Sequence, residues 1–115
     1  MDIRVAVAAG KPEVNVVRIS GRLDAVTCKA GEPVILGALD KGAAGVILNM
    51  ASLDFISSAG LRIMITLMKK AAADGKRVAM VGVQPTIYKI FKIAALDKVF
   101  RFFENEGEAV RELWP

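Results

Sequence analysis

Histidine is absent from this chain of 115 residues, and cysteine occurs once, at position 28. Without an imidazole there is no usual general base for a Ser-His-Asp or Cys-His hydrolase, and with one thiol there is no soft-metal ligand set. A lone cysteine cannot close an internal disulfide and suits a reducing compartment. Cys28 is read as a small apolar side chain in or near a helix start, not as a redox centre. Glycine-rich phosphate loops are lacking too. Ala9-Gly10-Lys11 looks superficially like the end of a P-loop, but Val5 stands at the place of its first glycine and Pro12 follows the lysine. No dinucleotide-binding loop follows any strand, and Ile56 stands where a nucleophile elbow needs glycine. Neither enzymatic activity, nor a metal, nor a cofactor is expected.

Long apolar runs are also missing. Nothing approaches the ~18 uninterrupted apolar residues of a membrane span. The first residues carry Asp2 and Arg4 and break at Gly10-Lys11-Pro12, too short and too polar for a signal peptide. The chain is therefore expected to be soluble and cytoplasmic. Its 16 basic and 12 acidic residues leave a net charge of +4. That excess is mild, scattered and without aromatic interleaving, so direct nucleic-acid binding is not expected.

What is present is material for one core. Apolar residues make up 54% and charged residues 24%, which excludes intrinsic disorder. The length fits a single domain over residues 1–115 with no linker. Ile3–Ala8 and Val14–Ser20 are β-branched runs around a Gly-Lys-Pro turn, which predicts an antiparallel hairpin. Thr27–Leu39 predicts a first helix, with a late start near Glu32 or a break there, because Pro33 inside a helix costs ~3 kcal/mol. Val46–Met50 is a continuous apolar run, as expected of a central strand buried on both faces. A second helix is predicted from about Ser58 to Ala73, with Leu61, Met64, Ile65, Met68, Ala71 and Ala72 along one face. Ile63 and Leu67 widen that face; they either pack on a neighbouring helix or offer a docking patch. Arg77–Val83 is the next strand. Pro85 opens a third helix with Ile87, Ile90, Phe91 and Ala94 inward. Val99–Phe103 and about Glu106–Leu113 complete the pattern. Strands alternating with helices imply an α/β fold, and the first hairpin makes the sheet mixed.

The junction before the second helix draws attention, since two adjacent hydroxyls, Ser57 and Ser58, stand at a helix start. Unpaired N–H groups and the positive end of the macrodipole let a hydroxyl there carry a phosphate at low electrostatic cost. The plain alternative is that these serines only cap the helix. If the second and third strands end on the same side, Asp24 lies beside them, at the edge where open α/β sheets place their sites.

Two separated motifs bear on the choice. Leu48-Asn49, Phe55, Ser58, Gly60 and Leu61 resemble the phosphorylation-site segment of STAS domains, the family of bacterial anti-sigma factor antagonists. Ile19 to Thr27, with Gly21, Leu23-Asp24 and Thr27, is similar to that family's strand-end motif, and Pro85 to Phe100 to its third helix and following turn. The resemblance spans nearly the whole chain. It implies a STAS-like single domain with a mixed, mainly parallel sheet of four to five strands and about four helices.

For function, the resemblance implies a partner switch. The unmodified protein would bind an anti-sigma factor that is also an ATP-dependent serine kinase, phosphorylation at Ser58 would separate the two, and a serine phosphatase would reset the state. Asp24, Ser57, Ser58, Ala59, Gly60 and Arg62 become the implied partner-binding residues, on a monomer or weak dimer. Ser57 departs from the pattern, because many antagonists carry an acid there, and it becomes a competing acceptor. The alternative is a non-phosphorylated STAS scaffold or small-molecule sensor. For Asp24, kinase recognition or orientation of the serine hydroxyl stands beside simple turn capping.

Overall fold

The computed structural model describes residues 1–40 and 42–115. Nine elements follow one another: β1 (Asp2–Ala8), β2 (Lys11–Leu23), α1 (Cys28–Gly37), β3 (Gly45–Ile56), α2 (Ser58–Ala73), β4 (Arg77–Val81), α3 (Pro85–Ile93), β5 (Arg101–Phe103) and α4 (Glu106–Leu113). The strands form one sheet in the order β1-β2-β3-β4-β5. β1 and β2 pair antiparallel and every later pair is parallel, so the mixed sheet is as expected.

Alternation along the strands splits the interior in two. Val17, Leu48 and Met80 point to the face covered by α1, α2 and α3, with Ile35, Ile63, Met64, Leu67, Ile87 and Phe91 packed against them. Val16, Ile47 and Ala79 point the other way, under Ala109, Leu113 and Trp114 of α4 and its end. This two-sided burial is why Val46 to Leu48 read as an unbroken apolar run. Trp114 lies against Gly45, where an added methyl would collide with its ring and with the Arg77 carbonyl. Among the described residues no helix is long and apolar enough to cross a membrane.

Several predicted boundaries need correction. α1 begins at Cys28 and contains Pro33, rather than starting late near Glu32. Pro33 and Lys29, whose carbonyl loses its partner, both face solvent, so water can satisfy that oxygen while Cys28, Gly31 and Ile35 hold the helix on the sheet. β3 runs on past Met50 to Ile56 because β2 continues beside it, Leu23 pairing with Ile56, after β4 has stopped at Val81. β5 is shorter than expected, beginning at Arg101. The buried stripe of α2 is Gly60, Ile63, Met64, Leu67 and Ala71, so Ile63 and Leu67 are its centre and pack inward, while Ala72 is exposed. On α3, Ile87 and Phe91 are buried, Ile90 is half-buried and Ala94 exposed. The inner face of α3 is thus as expected except at its end, where Ala94 is the C-cap, whereas on α2 the spacing was legible and its rotation about the axis was not.

Glu106, at the first position of α4, ties three elements together. Its carboxylate accepts Arg18 Nε at 2.9 Å, an Arg18 terminal nitrogen at 2.8 Å and Asn49 Nδ2 at 2.7 Å. Arg18 first, then Asn49, hold the Glu106 carboxyl below its ordinary range against the opposing effect of burial. In the window below the unfolded value near 4.5 the unfolded chain binds the extra proton, so this stabilisation is present at neutral pH and fades as pH falls through that range. Glu106→Gln is therefore expected to flatten the loss of stability between about pH 5 and pH 3. Urea titrations across that range check it; an unchanged pH slope would remove Glu106 from the account.

Candidate functional site

The extra length of β2 and β3 builds the site. Because Leu23 and Ile56 are paired at their far ends, the two chains leave the sheet side by side, and the Ser57 amide donates to the Leu23 carbonyl at 2.9 Å. That bond sets the start of α2 against the turn that begins at Asp24. Gly60 makes the approach possible: a methyl there would lie 2.7 Å from Ile56 Cγ1 and 3.1 Å from the Leu23 carbonyl oxygen. Gly60 is buried, so its place in the motif is a packing requirement of this junction.

The two serines have different surroundings. Ser57 is the N-cap of α2, half-buried, with its hydroxyl accepting from the Gly60 amide at 3.3 Å. Ser58 is the first helical residue and exposed, and its hydroxyl has no partner among the described residues. Capping and availability for chemistry are thus divided between neighbours. Ser57→Ala is expected to lower stability by about 1 kcal/mol through loss of the cap, while Ser58→Ala is expected to change it by less than about half that. Denaturant midpoints of the two variants check this, and equal losses would contradict the division.

Asp24 faces into its own turn. Its Oδ1 accepts from the amides of Val26 and Thr27, both at 3.0 Å, while Thr27 Oγ1 accepts from the Asp24 amide at 2.9 Å and donates to the Arg22 carbonyl at 2.8 Å. The Thr27 amide, then the Thr27 hydroxyl, the Val26 amide and the Arg22 charge, keep the Asp24 carboxyl below its usual range despite some desolvation. Asp24 therefore caps the turn that begins next to Leu23, whose carbonyl receives the Ser57 amide. Arg22 is a member of this cluster that sequence reading passed over. Its guanidinium lies 4.2 Å from the centre of the Phe55 ring, and its Nε is 3.8 Å from Asp24 Oδ2. The aromatic of the second motif thus props a basic group next to the acid of the first. An arginine immediately before the Leu-Asp pair and an aromatic two before the serines were visible in the sequence; that they stack required the register.

Ala59 is half-buried in the first turn of α2, and Arg62 is exposed one turn beyond Ser58. Cys28 is buried at the start of α1, and that burial, with Asp24 and Glu32 nearby, pushes its thiol up. It remains a neutral packing group. No cluster of three metal-ligating side chains occurs among the described residues.

A serine-bearing helix start thus stands beside a Leu-Asp turn at the end of the paired strands β2 and β3. Residues 6–109 match the STAS domain family model, and the chain belongs to that family. It is 27% identical over 101 residues to the anti-sigma F factor antagonist of Paenibacillus polymyxa, covering 87% of this chain and 86% of that protein. Among solved structures, it resembles an anti-sigma-factor antagonist (STAS) domain protein from Planctomyces limnophilus, with a TM-score of 0.86, 18% identity and all of both chains covered. It also resembles the Bacillus cell fate determinant SpoIIAA in its phosphorylated form, with a TM-score of 0.74, 24% identity, and 96% of this chain and 98% of that one covered.

Proposed function

We propose that this protein is a cytoplasmic, non-enzymatic anti-sigma factor antagonist, switched by phosphorylation of Ser58. Unmodified, it binds an anti-sigma factor that is also a serine kinase and so frees a sigma factor for transcription. Transfer of the ATP γ-phosphoryl group to the Ser58 hydroxyl ends the complex, and a serine phosphatase restores the binding form. The observation that carries this reading is the exposed Ser58 hydroxyl in the first turn of α2, without a partner among the described residues, next to a Ser57 whose hydroxyl is engaged as the cap. Ser57 is the weaker acceptor for that reason. The names of the relatives support the antagonist class, and the SpoIIAA structure supports a STAS fold compatible with phosphate.

Phosphate adds about −1.5 to −2 charges and three strong acceptors. At the start of a helix the domain tolerates that charge. A partner packed over Ser58 would have to bury the dianion, and every ~1.4 kcal/mol left uncompensated weakens the complex tenfold. Ala59 and Arg62 share the Ser58 surface and are the proposed partner contacts, with Asp24 as the negative landmark read by the kinase. Gly60 contributes by fixing the junction.

The test is incubation with the cognate kinase and ATP followed by phosphopeptide mapping. Label at Ser58 that vanishes in Ser58→Ala is expected. No transfer from a kinase active on its other substrates would replace this reading by the non-phosphorylated scaffold or sensor, to which the missing acid at Ser57 points.

A further inference from the structure

Away from the serines, a cleft of about 500 Å³ opens at the end of β4 and β5, between α3 and α4. That volume is within the range of small-molecule sites. Tyr88 from α3 and Phe102 from β5 form one aromatic wall, and Phe103, which belongs to the opposite face of the sheet, borders the cleft on the α4 side. Tyr88 and Phe102 meet edge to face at 5.1 Å, and Phe102 is backed by Phe91 at 5.7 Å, so the rings are held in place before anything binds. The floor is equally fixed. Gln84 Nε2 donates to the Ala51 and Leu53 carbonyls, each at 3.0 Å, and the Gly82 amide donates to the Phe103 carbonyl at 3.1 Å. Gly82 has φ +67°, and a methyl there would press to 3.0 Å on Ala51, so this tight backbone turn at the cleft requires glycine.

Two carboxylates, Glu104 and Glu108, complete the lining, and neither has an ion-pair or hydrogen-bond partner for its side chain among the described residues. On a chain with net charge +4, aromatic walls beside two unpaired acids select one ligand chemistry. The negative faces of the rings and the carboxylates both attract a cation, and the apolar walls favour one on a short hydrocarbon stem. Phe103 already shows the behaviour on a small scale, with the Arg101 guanidinium 5.5 Å from its ring centre.

We infer that the cleft bounded by Tyr88, Phe102, Phe103, Glu104 and Glu108 is a binding site for an organic cation, a guanidinium or ammonium on an apolar stem. The stem lies along the Tyr88 and Phe102 rings and the charge meets the two carboxylates. A free small molecule and an arginine side chain borne by a peptide share this chemistry.

Amide-shift titration of the whole isotopically labelled chain tests the site with three probes: butylguanidinium, N-acetyl-arginine methylamide and the neutral isostere butylurea. Saturable shifts centred on Gly82, Val83, Tyr88 and Glu108 are expected with butylguanidinium and not with butylurea. Glu104→Gln/Glu108→Gln is expected to weaken that binding about tenfold or more, with its remaining spectrum unchanged. If butylguanidinium binds and the arginine derivative does not, the occupant is a free small cation; if the arginine derivative binds as well or better, it is a protein-borne side chain. Equal response to cation and urea, undiminished binding by the double variant, or no saturable shift with either cation would overturn the assignment. None of these outcomes depends on kinase, phosphate or Ser58.

Discussion

Ser58→Asp is expected to weaken binding to the cognate anti-sigma kinase about a hundredfold, or ~2.7 kcal/mol, while the domain stays as stable as the wild type or slightly more so. The two halves of that result have different causes. Within the domain, the new carboxylate sits in the first turn of a sixteen-residue helix with no other acid there, where the macrodipole and free N–H groups favour it. At the proposed interface, the same charge would lose its water and meet a surface fitted to a neutral hydroxyl, a mismatch typically worth a few kcal/mol. Calorimetric titration of the kinase with wild type and variant, alongside urea unfolding of each, separates the halves. Equal affinities would sink the proposed switch, and a large stability loss would mean that Ser58 serves the fold.

Gly45→Ala should have the largest effect on stability, a loss of about 3 kcal/mol or more. The added methyl would overlap the Trp114 ring and the Arg77 carbonyl. The carbonyl belongs to the paired strand β4 and cannot yield without breaking the ladder. Trp114 caps the end of α4 and packs in one cluster with Leu113 and Ala109, so displacing its ring would loosen that cluster. Trp114 is the single tryptophan, so its fluorescence reports the displacement directly while circular dichroism follows unfolding. An unchanged denaturant midpoint with an unshifted emission spectrum would contradict the packing described here.

Much of this arrangement was legible in the linear text, and the reasons are local. The hairpin around Gly10 and the strand through Val46 to Met50 follow from β-branched runs and turn residues. The start of α2 at Ser58 and its end near Asp74-Gly75 follow from a cap and a stop signal within a few residues of each other. The misreadings arose where a distant partner decides. Pro33 breaks an isolated helix, yet here the helix is held by the sheet beneath it. The expected central strand ended at Met50 because its apolar run thins out there, yet β2 supplies a hydrogen-bonding partner as far as Ile56.

The site shows the same division. The serines, the Leu-Asp pair and Gly60 could be picked out as a constellation, because family motifs are patterns of residue type. Which serine caps and which is exposed, how Arg22 stacks on Phe55, and how Glu106 joins Arg18 to Asn49 across 88 and 57 residues could not. Residue order alone carries the fold class, the element sequence and the place to look for function, since hydrophobic period and capping act over neighbours a few positions apart. The roles of Ser57 against Ser58, the aromatic cleft and the rotation of α2 arise only when the sheet closes, because they depend on contacts whose partners the chain brings together from far along its length.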